Sequence, residues 1–263
     1  MKKRSFSFLA LIVLAAALFF AGAAVLAMPT VNRITHDAQA ESAVASFLAE
    51  YHYTDDFLQV KEQLPQRIDE APEPISTTEA REPIYPELLA AMQAYNEEIY
   101  ANKQIGLADP WCYTAPVIDL QQYGLNDEAV GVLTISKIGY EEPVYLGATS
   151  DHLKRGAAQL SISSMPIGGV NTNCVLAAHR GRYGAEHLRY IDQLELGDTM
   201  LLTNLWEILE YEVVEIKVIE PYQSEELLIQ DGRDLLTLVT CHPYGGGGRY
   251  RYVVYCERVE KEE

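Results

Sequence analysis

The sequence predicts a mostly antiparallel β barrel or sandwich with peripheral helices. Three observations carry this reading. Past Gly131 the chain turns into short β-branched runs: Val132–Ile138, Pro143–Leu146, Cys174–Ala178, Thr199–Thr203, Glu207–Ile219, Leu235–Thr240 and Arg249–Arg258. Turn dipeptides stand between them, namely Gly168-Gly169, Gly197-Asp198 and Asp231-Gly232, which is the punctuation expected of successive strands. Only two helix-compatible stretches interrupt the series, Asp151–Leu160 and Ala185–Leu194, and no internal repeat is visible.

The region before the strands has a different character. Lys2, Lys3 and Arg4 precede an uncharged apolar run from Phe8 to Met28, long enough to cross a hydrocarbon core as one helix. The basic flank places the start inside and everything after Met28 outside. A cleaved signal peptide is the alternative, since Ala21 and Ala23 offer a small-residue cleavage site. From Thr35 to Gln63 the residues suit a helix, with Ala38, Ala40, Val44 and Leu48 as its apolar stripe. Pro72, Pro74, Pro83 and Pro86 read as an extended linker, and Pro86 also suits the first position of a helix. That next helix carries Leu88, Met92, Tyr95 and Ile99 toward the core and is expected to stop at Gly106.

With 263 residues, 48% hydrophobic and 22% charged, the chain has material for one substantial core plus accessory segments. Its formal charge of -18 leaves no basic footprint for a nucleic-acid partner. The four cysteines, at 112, 174, 241 and 256, form no compact disulfide framework, and no CxxC or HxxxH spacing suggests a metal site. At least one thiol is therefore a candidate for reactivity.

Leu235–Cys241 reads as a buried strand that ends on a thiol, followed by Pro243-Tyr244 and four glycines. A cysteine there can meet a substrate, although a buried, inert cysteine is the commoner fate of a free thiol. The glycines 245–248 lack the Lys-Ser/Thr of a phosphate loop and precede a strand, so they do not cradle a nucleotide. A nucleophilic thiol needs a base. His179 ends another apolar strand, whereas His242 adjoins Cys241 and, in a strand, points the other way. His152 and His187 lie among polar neighbours and are expected at the surface, and His36 and His52 precede the linker. Acyl transfer also needs a donor for the developing oxyanion. Arg249 and Arg251 share one strand parity, so the pattern leaves both open.

Several segments together give a specific resemblance. TLVTCHPYG at 237–245 resembles the cysteine motif of sortases in its pilin-type form, and NCVLAAHRG at 173–181 resembles their histidine segment. SSMPIGG at 163–169 and QLELGD at 193–198 match further family segments, so the likeness runs from Tyr85 to Arg258. Asp109-Pro110-Trp111 resembles the lid of class C, pilin-type members.

The resemblance implies an eight-stranded sortase-type β barrel with peripheral helices and an N-terminal helical and lid segment. It divides the chain into an anchor or signal segment (1–28), a helical and Pro-rich linker (29–84), a helix with the lid (85–128) and a catalytic barrel (129–263). It implies Cys241 as nucleophile, His179 as acid and base, and Arg251 as the catalytic arginine, since RYVVYCER aligns with the family's arginine strand; Arg249 is the alternative. Asp109 would face the arginine, and Trp111 would cover the thiol. The implied reaction cleaves an LPxTG-like sorting signal through a thioacyl intermediate and joins it to an amine, a pilin lysine in pilus polymerisation. The alternatives are anchoring of single surface proteins to a peptidoglycan precursor, or an idle binding module that keeps the barrel. The chemistry needs neither cofactor nor metal. The implied setting is the membrane of a Gram-positive-type bacterium, single-pass, with the catalytic domain extracellular.

Overall fold

The computed structural model describes residues 3–51, 53, 61, 83–105, 115–126, 129–181 and 184–259. Helix α1 spans Lys3–Glu50. Its apolar part has a mean hydropathy of 2.7 over an 18-residue window none of which is buried against protein, so it is long and apolar enough to cross a membrane. Further along, Ala40, Val44, Phe47 and Leu48 are buried against the body of the protein. The expected stripe is thus present, except that Ala38 is exposed and Phe47 joins it.

Helix α2, Pro86–Ala101, starts on Pro86 as its first residue and buries Leu88, Met92, Asn96 and Ile99. It stops at Asn102, and the expected stop, Gly106, lies outside the described residues, as does most of the Pro-rich segment. Asn96 links α2 to the barrel by accepting the Met165 amide at 2.7 Å.

Eight strands follow: β1 (Gly131–Ile135), β2 (Tyr140–Leu146), β3 (Ala157–Gln159), β4 (Thr172–Ala177), β5 (Thr199–Asn204), β6 (Ile208–Ile219), β7 (Asp234–His242) and β8 (Tyr250–Arg258). They close into one barrel in the order β1-β2-β3-β4-β7-β8-β6-β5. Two pairings, β2 with β3 and β4 with β7, are parallel, and the other six are antiparallel.

Three local expectations are corrected. The first strand ends at Ile135, because Ser136–Ile138 form a 3-10 turn closed by Gly139 at φ 63°. The helix expected over Asp151–Leu160 is one turn, α3 (His152–Arg155), and β3 follows at once. Gly156 makes that switch possible, since a Cβ there would lie 2.3 Å from the Pro143 carbonyl oxygen. The helix expected over Ala185–Leu194 is a turn with a 3-10 segment, Ile191–Gln193, after an isolated bridge between Arg180 and His187.

The wall formed by β4, β7 and β8 is apolar on both faces, which is why its strands read as continuous hydrophobic runs. Cys174, Leu176, Ala178, Leu236, Leu238, Val254 and Cys256 belong to a large cluster shared with α1 and α2. Val175, Ala177, Val239, Val253 and Tyr255 belong to a second cluster with Leu153 and Leu160. Even-numbered residues of these strands thus face one side and odd-numbered residues the other. Each fully buried Leu or Val here contributes on the order of 1.5–3 kcal/mol.

Candidate active site

This alternation settles which side chains can meet. Cys241 extends the odd series of β7 past Val239, Arg251 precedes Val253 on β8, and His179 continues past Ala177 of β4. All three therefore point to the same face at one end of the wall.

Register brings them level. β7 and β8 pair Cys241 directly with Arg251. β4 and β7 pair Ala177 with Val239 in parallel, so the chain leaving β4 carries His179 toward the end of β7 that holds Cys241. Hydrogen bonds hold the strand ends there: the Ala178 amide donates to the Val239 carbonyl at 3.2 Å, and the Thr240 hydroxyl donates to the Ala178 carbonyl at 2.7 Å. Thr240 was not singled out from sequence, although its place before the cysteine in the TLVTC run was the available signal.

The three described cysteines differ in reactivity. Cys174 and Cys256 are buried, and burial pushes both thiols well above their ordinary range, so they are inert packing groups. Cys241 is half-exposed at the end of its strand. Cys112 lies outside the described residues.

Arg251 is 5% exposed. Its Nη1 donates to the Gly248 carbonyl at 2.8 Å and the Tyr250 carbonyl at 3.1 Å, and stands 4.0 Å from Cys241 Sγ. Arg249 is exposed and precedes β8. Gly248, at φ 73°, brings the glycine loop over the thiol, and a Cβ there would lie 3.0 Å from Cys241 Sγ. The site therefore combines a thiol, an imidazole and a guanidinium on one edge, under a closely fitting backbone loop.

His242, the even neighbour, faces the opposite way. Its Nδ1 lies 2.9 Å from Arg180 Nη1, and its ring packs on Tyr252. Burial and the Arg180 charge lower its pKa from the ordinary value. Arg180 also pairs with Asp192 at 2.8 Å, a buried role that the HRG run did not reveal.

Two histidines expected at the surface are buried. His152 places Nδ1 2.8 Å from the Gly147 carbonyl and stacks on Tyr145, and His187 places Nδ1 2.9 Å from Glu142 Oε2. Their sequence neighbours are polar, but their partners come from β2 and the turn after it. Asp109 and Trp111 lie outside the described residues. The chain returns at Ala115 and Pro116, which pack against Ser161 and Gly147, next to Leu160 and Ala148 of the second cluster.

Comparison with known proteins bears on the barrel as a whole. The Sortase domain family model matches residues 133–259. The sortase C2 of Group B Streptococcus pilus island 1 is 33% identical, with a TM-score of 0.60 over 67% of this chain and 98% of that one. Sortase C-1 of Actinomyces oris is 32% identical, with a TM-score of 0.58 over 67% of this chain and 100% of that one. Sortase D of Bacillus subtilis is 31% identical over 134 residues, which is 50% of this chain but only 65% of the relative's own length. The chain belongs to the sortase family, a family of cysteine transpeptidases, and class C sortases are among its structural neighbours.

Proposed function

We propose that this chain is a class C sortase that polymerises pilin-like proteins. The observation that carries the reading is the level, same-face placement of Cys241, His179 and Arg251 at one end of the barrel wall. In this reading the Cys241 sulfur attacks the carbonyl carbon after which an LPxTG-like sorting signal is cut. Negative charge passes to the carbonyl oxygen, which the Arg251 guanidinium stabilises. The thiol proton passes to His179 as the sulfur attacks, and when the carbon–nitrogen bond breaks His179 delivers it to the departing amine. The resulting thioester is attacked by a lysine side-chain amine of the next subunit. The carbon–sulfur bond breaks, an amide forms, and the thiol is restored.

The apolar part of α1 supports a membrane anchor in this scheme, with the barrel outside the cell and residues 1–28 as its anchoring segment. Asp109 and Trp111 are assigned to a lid over the thiol, and residues 129–263 to the catalytic unit.

The test uses the full chain in detergent with a sorting-signal peptide and mass spectrometry. Wild type should accumulate an acyl-enzyme on Cys241 and pass it to a lysine-bearing pilin domain. Cys241→Ala should form none, and His179→Ala should lose nearly all turnover. Substantial turnover in either variant would sink the assignment. Transfer to a peptidoglycan-precursor amine, with no transfer to pilin, would redirect the chain to the anchoring of single proteins.

A further inference from the structure

A second cluster of reactive side chains lies outside the thiol site. His36 comes from α1, Glu142 from β2, and His187 from the turn after β4. One donor atom from each lies within 4.8 Å of the other two. The cluster is shielded: the side chain of His187 is 0% exposed, Glu142 9% and His36 13%. The imidazoles meet edge-on, with ring centroids 4.6 Å apart.

The hydrogen-bond inventory of this cluster is incomplete. Nε2 of His36 and Nε2 of His187 are both buried with no hydrogen-bond partner. Buried imidazole nitrogens without partners are uncommon, because leaving a donor or acceptor unmet in the interior is costly. Among the described residues no lysine or arginine pairs with Glu142, so its buried carboxylate faces histidines rather than a fixed cation. Two vacant nitrogens beside a buried carboxylate that meets the His187 Nδ1 make a donor set that lacks an acceptor of electron pairs.

We propose that His36, Glu142 and His187 bind a divalent transition-metal ion, zinc above others, which clamps helix α1 to the barrel. Two imidazoles and one carboxylate are a zinc-type set, whereas calcium and magnesium select oxygen-only shells. Donor atoms around tetrahedral zinc stand roughly 3.3 Å apart, given bonds of about 2.0–2.2 Å, so donors now within 4.8 Å of one another must close by up to about 1.5 Å. Asp37 lies 3.8 Å from His36 Nδ1 and is placed to orient that ring from behind, as outer carboxylates do in metal sites. The ion would join three distant parts of the chain, which is why no spacing in the sequence announces the site. It would also immobilise His187, whose ring stands 6.0 Å from that of His179.

The test titrates the full chain in detergent, first freed of metal, with Zn²⁺ against a chromophoric chelator, and with Co²⁺ followed by its d–d absorption. Wild type should take up one equivalent. His36→Ala and Glu142→Gln should each weaken zinc binding at least about tenfold. Cys241→Ala should leave it unchanged. Zinc should also raise the thermal unfolding midpoint of wild type and not that of His36→Ala. Circular dichroism of the metal-free variants checks that they fold, and Glu142→Gln stands alone if His36→Ala does not. The proposal is overturned by failure of wild type to bind stoichiometrically. It is overturned equally if a folded His36→Ala or Glu142→Gln keeps its affinity within about twofold, or if binding disappears with Cys241.

Discussion

Replacing Gly248 by alanine tests the close approach of the glycine loop to the thiol. Two effects follow, and a neighbouring glycine separates them. The first is backbone strain: Gly248 sits at φ 73°, where an L-residue costs roughly 1–2 kcal/mol. Gly247 sits at φ 72°, so Gly247→Ala carries the same strain, yet a Cβ there meets nothing within 4 Å. The second effect belongs to Gly248 alone, whose Cβ would stand 3.0 Å from Cys241 Sγ and 3.6 Å from Arg251 Nη1. Nonbonded atoms settle at about 3.5–4.0 Å, so the thiol or the loop must give by roughly 0.5–1 Å. A misplacement near 1 Å can cost about a hundredfold in rate. Both variants should therefore lose similar stability in a thermal melt, while Gly248→Ala falls about 10- to 100-fold below Gly247→Ala in kcat/KM for a sorting peptide, or about 1.4–2.7 kcal/mol. Alkylation of Cys241 should slow in the same order. If the two variants agree within twofold in both rates, the loop does not crowd the thiol and the reasoning fails.

Other expectations follow from single contacts. Arg251→Ala should lower kcat/KM about 10²- to 10³-fold, the range for losing an oxyanion donor, whereas Arg249→Ala should stay near wild type; the reverse order of the two would move the role to Arg249. Arg233 meets Glu257 through two bonds, 2.9 and 2.8 Å, and holds that carboxyl below its usual range. A carboxyl pKa lowered in the fold gives stability that is present above the unfolded value and is lost as pH falls through the folded one. Arg233→Ala should therefore cost about 0.2–1 kcal/mol at pH 7, modest because the pair is half-exposed, and melts compared below about pH 4 should show the gap closing. If Asp109 and Trp111 form a lid, the double alanine variant should alkylate faster at Cys241, about tenfold for each 1.4 kcal/mol of closure lost. Equal alkylation rates would return that segment to an ordinary turn.

Much of the site was legible because strand alternation is a local rule. The run from Leu235 to Cys241 declared a buried strand with a thiol at its end, and the run to Ala178 did the same for His179. What alternation cannot supply is register. Only the parallel pairing of β4 with β7 brings His179 level with Cys241, and that pairing follows from chain-distant packing. The choice between Arg249 and Arg251 was undecidable by parity, since both are odd. The structure places them differently: β8 starts at Tyr250, so Arg249 lies in the loop while Arg251 pairs with Cys241. β3 escaped notice because its three residues are two alanines and a glutamine, good helix formers that become a strand only by pairing with β2 and β4. His187 looks like a surface residue in sequence for a related reason. Its burial comes from β2 and α1, and neither is near it in sequence.

Closure of the sheet has a consequence for how an extended peptide is caught. β5 returns to β1, so each described strand has neighbours on both sides, and β7, which carries Cys241, is already flanked by β4 and β8. Many peptide-binding domains gain affinity from such backbone pairing, which is nearly blind to side chains. The strand that carries Cys241 forgoes that source, because β4 and β8 already flank it. A peptide that reaches Cys241 without pairing to β7 must be gripped through its side chains by loops at that end of the wall. Selectivity then resides in a few loop residues, and exchanging those loops between related barrels should exchange peptide preference while the strands stay untouched.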